Sequence, residues 1–164
     1  MAIHKLMIDD FVTVDYTLIA IHTSLEDYRL AYFINRELEI RLEKWPSGIS
    51  FRQKENESTA YFSRYIFEDD DNDAAWNLIQ NKNSIVSTQT TTISSLFSGE
   101  EHAGFTSVYF LPELKTVDYI LKVENTEETN AADNVLNRLL DIKYIATAYK
   151  INHYKLKSKN NLIF

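Results

Sequence analysis

The stretch YTLIAIHTSLEDYRLAYFINR, residues 16–36, decides the class of fold. Leu18, Ile19, Ala20 and Ile21 are apolar at successive positions. A strand of that pattern is covered on both faces and belongs in the middle of a sheet. Ser24 follows as a good helix N-cap, and Asp27 three residues later gives a weaker form of the capping box. The spacing then predicts a helix from Leu25 to about Arg36, with Leu30, Ala31 and Ile34 as its buried stripe and Tyr28 and Tyr32 beside it.

Downstream of this unit the period changes from helical to two. Leu38, Ile40 and Leu42 alternate with Glu39, Arg41 and Glu43, which predicts a strand with one wet face. Trp45, Pro46, Ser47 and Gly48 punctuate a turn, and Ile49 and Phe51 return. Residues 58–67 read as one strand, with Tyr61, Tyr65 and Phe67 on one face and Ala60, Phe62 and Ile66 on the other. The acidic run 68–73 is a turn, followed by short strands or loop at 76–79 and 85–86. Residues 87–104, rich in Ser and Thr, are the candidate mobile loop. Residues 105–111 form a strand that stops at Pro112. Residues 116–124 alternate again: Val117, Tyr119, Leu121 and Val123 face the core, with Asp118, Lys122 and Glu124 opposite.

Asn125 or Thr126 caps a second helix, with Glu127 and Glu128 in the first turn, where the helix dipole favours acids. Its apolar face is Ala132, Val135, Leu136, Leu139 and Leu140. Residues 142–151 make a final strand, and the apolar ending around Leu162, Ile163 and Phe164 is expected to dock. The order is strand, helix, several antiparallel strands, helix, strand. That predicts a single α+β domain over residues 1–164. Its sheet is mostly antiparallel with two helices, a ferredoxin-like core with extra β-strands in the middle.

Composition narrows the chemistry. The chain has 164 residues with 3 Gly, 2 Pro and no Cys. A Gly-rich dinucleotide loop cannot be assembled from three glycines so placed, and thiol catalysis, disulfides and cysteine metal sites are excluded. Gly99 and Gly104 have P-loop spacing, but Phe105 stands where the phosphate-binding Lys belongs. Asp69, Asp71 and Asp73 have calcium-loop spacing, but Ala74 and Gln80 replace the required Gly and Glu. His4, His22, His102 and His153 share no ligand spacing. No cofactor and no metal is expected.

The net charge of −7 is unevenly spread, because residues 142–164 carry Lys143, Lys150, Lys155, Lys157 and Lys159 and no acid. Weak RNA contact through Lys150, Lys155, Lys157 and Lys159 is therefore one reading. The residues Ser63-Arg64-Tyr65-Ile66-Phe67 lack the glycine of an RNA-recognition motif, so the aromatic face reads first as core or a dimer surface. No secretory signal and no run of about 20 apolar residues is present, which predicts a cytoplasmic protein without a membrane span.

The most distinctive string is Leu111-Pro112-Glu113-Leu114-Lys115-Thr116-Val117-Asp118-Tyr119. It resembles the motif of the uncharacterised bacterial IPExxxVDY family, found mostly in Bacteroidetes, with Leu111 in place of the family's Ile. Pro112, Glu113, Val117, Asp118 and Tyr119 match at the required spacing, and the ending at Asn161-Leu162-Ile163-Phe164 is similar too. The family has no established activity, so the resemblance implies no catalytic residues. Physically, the string reads as a hairpin in which Glu113 and Asp118 hold the turn by hydrogen bonds. The alternative makes them an acid/base pair. The aromatic surplus and the lack of cofactor motifs favour a non-catalytic module that binds a protein partner or itself as a homodimer. An RNA-binding protein and a cofactor-free enzyme using Glu113, Asp118 or His102 are the alternatives.

Overall fold

The computed structural model describes residues 16–52, 59–87, 104–125 and 129–164. The opening strand β1 (Tyr16–Thr23) leads into helix α1 (Asp27–Leu38). Two edge residues form β2 (Glu43–Lys44), and a small ribbon pairs β3 (Ile49–Arg52) with β4 (Thr59–Phe62). The chain then enters β5 (Arg64–Asp69) and β6 (Ala74–Gln80), and a second ribbon pairs β7 (Lys82–Ser87) with β8 (Gly104–Tyr109). It closes with β9 (Tyr119–Glu124), helix α2 (Thr129–Asp141) and β10 (Ile145–Ile151), followed by single 3-10 turns at His153–Lys155 and Lys159–Leu162.

The main sheet has the order β10-β1-β9-β6-β5-β2, antiparallel at every pairing. Its first four strands, with α1 after β1 and α2 before β10, have the expected ferredoxin-like connectivity. The extra strands are inserted between α1 and β6 and between β6 and β9. The α+β class and the antiparallel sheet with two helices therefore stand as expected.

Each face of the sheet has its own core. On the helix side, Ile19, Ile21, Leu78, Leu121 and Val123 pack against Leu30, Ala31, Ile34 and Leu139. On the other side, Leu18, Ala20, Ile79 and Ile120 pack beneath Phe62, Phe110, Leu111, Leu156 and Leu162. Fully burying one such side chain stabilises by about 1.5–3 kcal/mol. Of the apolar ending, Leu162 docks beside Leu156, whereas Ile163 and Phe164 are exposed.

Several local expectations are corrected. Helix α1 starts at Asp27, not Leu25; Ser24 is exposed, and the N-cap position is Glu26, without a side-chain cap. The Thr23 hydroxyl accepts the Leu25 N–H instead (3.2 Å), so the turn is fastened before the helix begins. Leu38 closes the helix, Glu39 adopts the left-handed conformation (φ 59°), and only Glu43–Lys44 pairs as strand. The alternation over 38–42 has another cause. The Asn35 amide bonds both the N–H (2.7 Å) and the C=O (3.1 Å) of Leu42, holding a connecting segment that belongs to no sheet.

Residues 58–67 are not one strand. The chain breaks at Ser63, leaving Tyr61 exposed on β4 while Tyr65 and Phe67 turn into the helix-side core. The expected aromatic face is thereby divided between two sheets. Residues 76–79 belong to a full central strand, and Lys122 is buried on β9 where a wet face was expected. Asn125 does not cap α2: its φ is 57° and its side chain donates to the Asp73 carbonyl (2.9 Å). Leu140, placed on the buried stripe, is exposed. Glu127, Glu128 and the span between Ser87 and Gly104, including His102, lie outside the described residues; the two borders pair with each other across β7 and β8.

Candidate interaction surface

The string 111–119 is a crossover and not a hairpin. It leaves the β7–β8 ribbon and delivers the chain into β9, which pairs with β1 and β6. Two successive turns shape it, Leu114 N–H to Leu111 C=O (2.9 Å) and Val117 N–H to Leu114 C=O (3.1 Å). Leu111 and Val117 are fully buried, and Pro112 is exposed at the turn.

Glu113 and Asp118 do hold the fold by hydrogen bonds, but at long range and in different directions. Glu113 Oε1 accepts the N–H groups of Lys157 (2.8 Å) and Ser158 (3.0 Å), and Oε2 accepts the Ser158 hydroxyl (2.6 Å). Burial pushes this carboxyl up, yet the bonds from Ser158 and Lys157 outweigh it and hold it below the usual carboxylate range. Asp118 Oδ2 accepts the Thr23 N–H at the end of β1 (3.0 Å). The Tyr119 hydroxyl donates to the Leu25 carbonyl (2.9 Å), and burial holds its pKa well above the ordinary value.

The pin of this crossover is Asn81, which the sequence reading missed. It is fully buried between β6 and β7. Its N–H donates to the Asp118 carbonyl (2.9 Å) and its own carbonyl accepts from Phe110 N–H (2.8 Å). Its amide donates to the carbonyls of Leu114 (2.8 Å) and Val117 (2.9 Å) and accepts the Leu111 N–H (2.8 Å). A buried asparagine satisfied at every polar atom fixes one geometry, because any slip leaves several groups unpaired at once.

Among the lysines, Lys150 is ion-paired with Asp133 (2.6 Å), while Lys143, Lys155, Lys157 and Lys159 are exposed. His22 lies beside Tyr149, with ring centroids 5.6 Å apart. Asp69 accepts the backbone and side-chain N–H groups of Asn72, closing the acidic turn on itself. No group of three potential metal ligands forms among the described residues, and none of their helices is long and apolar enough to cross a membrane.

Among the described residues, the six-stranded sheet ends in two edge strands. The two ends of the six-stranded sheet are built oppositely. At one end β2 has two residues, both charged and exposed, and runs into Trp45 and Pro46. Short length, charge and proline are the usual devices that stop a strand edge from pairing with another chain. At the other end β10 has seven residues, Ile-Ala-Thr-Ala-Tyr-Lys-Ile, with no proline and no charge before Lys150. Among the described residues, its ladder runs to β1 alone. Exposed Tyr144, Tyr149 and Leu140 flank it. At its start lies an open recess of about 630 Å³, bordered by His22, Ser24, Asp118, Lys143 and Tyr144.

Compared with known proteins, the chain matches no family model, no curated protein and no solved structure.

Proposed function

We propose that the chain is a small non-catalytic binding module that acts by self-association, two copies pairing antiparallel through β10. The observation that carries this reading is the contrast between the guarded β2 edge and the unguarded β10 edge. An unpaired edge offers a row of backbone N–H and C=O groups that a second strand satisfies. A two-fold axis through Ala148 sets Thr147 opposite Tyr149 and Lys150 opposite Ala146, so no like charges face each other. Lys150 already has Asp133 as its counter-charge. Tyr144, Tyr149 and Leu140 supply apolar and aromatic area beside the strand, the residue types that anchor interfaces.

The roles of residues 111–119 support a binding module over an enzyme. Glu113 and Asp118 are engaged by separate backbone segments and are not aimed together at a shared site. The resemblance to the IPExxxVDY family is part of the same proposal, with its residues as builders of the fold.

Light scattering coupled to size exclusion tests the reading. The wild type is expected at twice the chain mass. The double variant Thr147→Lys, Tyr149→Lys places like charges across the two-fold at exposed positions and is expected to run as a folded monomer, with a thermal midpoint that no longer rises with protein concentration. A wild type that stays monomeric at every concentration, or a double variant that still dimerises, contradicts it.

A further inference from the structure

The sheet face opposite the helices is apolar over β1 and the ends of β6 and β9 nearest the crossover, but its other half is polar in an unusual place. Lys122 (7% exposed) and Asn77 (4%) face each other in the middle of central strands β9 and β6. Arg64 of β5 reaches across to them, with Nε and Nη2 both donating to Asn77 Oδ1 (2.9 and 2.7 Å). Lys122 is ion-paired with Glu124 and donates to the Leu162 carbonyl (3.0 Å). Arg64 has no such counter-charge: no carboxylate among the described residues is within ion-pair distance of its guanidinium. Burial works against its charge, while the Glu124 carboxylate, beyond ion-pair distance, favours it. Arg64 is half-buried, and the two cations share this one acid.

One ring occupies this polar half. The centroid of Phe164 lies 4.1 Å from the Arg64 guanidinium carbon and 5.0 Å from Lys122 Nζ. Tyr16 lies on the other side of Lys122 (5.0 Å), and Trp45 beside Arg64 (5.8 Å). The ring also meets Phe110 edge-on, with centroids 6.4 Å apart, but it lies at the rim of the core. Phe164 is 44% exposed and the preceding Ile163 81%, and a cation–π contact at a partly exposed site is weak. The slot therefore has a planar guanidinium platform, two cations with one carboxylate between them, and an occupant that satisfies the stacking but, as a hydrocarbon ring, adds no counter-charge.

We propose that Arg64, Asn77 and Lys122 form a binding slot for a planar aromatic anion, with the Phe164 side chain as the internal occupant that such a ligand displaces. The anion keeps the stacking on Arg64 and adds the ion pair that the phenyl ring lacks. This slot lies on a different strand set from the β10 edge, and its test is independent of self-association.

The probe is 1-anilinonaphthalene-8-sulfonate, compared with N-phenyl-1-naphthylamine, the same ring system without the negative charge. Phe164→Ala is expected to bind one sulfonate probe per chain at least about tenfold more tightly than wild type, with little gain for the neutral probe. Adding Arg64→Gln to Phe164→Ala is expected to abolish the gain. An equal gain for both probes, no gain, or indifference to Arg64→Gln overturns the proposal. Should Phe164→Ala fail to fold, Arg64→Gln alone decides: loss confined to the sulfonate probe supports the slot, and loss of both or neither overturns it.

Discussion

Asn81 is the residue on which the crossover depends most. Replacing it with Ala strands the Leu111 N–H and the Val117 carbonyl, and leaves the Leu114 carbonyl with the Val117 N–H alone. Leaving buried groups unpaired costs about 1–3 kcal/mol each, so Asn81→Ala should lose at least ~2 kcal/mol in urea unfolding. Asn81→Asp should lose more, because it buries a carboxylate with an oxygen set against the Leu114 and Val117 carbonyl oxygens. A loss below about 1 kcal/mol for either would show that the pin is dispensable. Glu113 makes a pH-dependent claim. Its folded pKa is depressed, so its clamp on residues 157–158 is fully present above the unfolded carboxylate range and is lost as pH falls through the folded value. The protection of the Lys157 and Ser158 amides, taken relative to the intrinsic exchange rate at each pH, should fall on acidification in wild type and be low at every pH in Glu113→Ala. Tyr65 makes the opposite claim. Burial, then the Asp27 carboxylate beside it, pushes its hydroxyl up to about 12 from 10.0. Its contribution is therefore full below pH 10 and is lost as pH rises toward 12. Tyr65→Phe should remove that alkaline loss in a pH series of thermal midpoints.

At the scale of elements, the sequence was most legible where one pattern had one cause. The doubly apolar run 18–21 meant a central strand, and the stripe Leu30, Ala31, Ile34 meant a buried helix face. It was misleading where a pattern had two possible causes. Leu38, Ile40 and Leu42 turn inward and Glu39 and Arg41 outward although Leu38 ends the helix and Asn35 ties Leu42 back outside any sheet, and no periodicity separates that from a strand. Tyr61 and Tyr65 look like neighbours on one face, but the break at Ser63 sends them to different sheets, and a single serine carries no signal of it. Asn81 and Lys122 were invisible for the same reason: a polar letter reads as surface until its partners are known. Glycine was the reverse case. Gly48 sits at φ 56°, and a Cβ there would lie 2.6 Å from the Phe62 carbonyl oxygen. Gly48→Ala should cost about 1–3 kcal/mol through backbone strain alone, and a chemical-denaturation midpoint equal to wild type would refute that.

At the scale of the molecule, strand order decides the function proposed here: the ferredoxin-like core was expected from sequence, but the places of the extra strands were not. The uncharged run 145–149 was readable from the start, but its position at a sheet edge follows only from β10 pairing with β1 alone among the described residues. The breaker residues that guard the opposite edge, Pro46 and Gly48, lie just beyond β2. The most direct test of the account is hydrogen–deuterium exchange of residues 145–151 as a function of protein concentration. If β10 pairs with a second copy, its outward-facing amides exchange quickly at high dilution and become protected as concentration rises, while amides of β1 and β9 stay protected throughout. Outward amides of β10 that exchange equally fast at every concentration would contradict it.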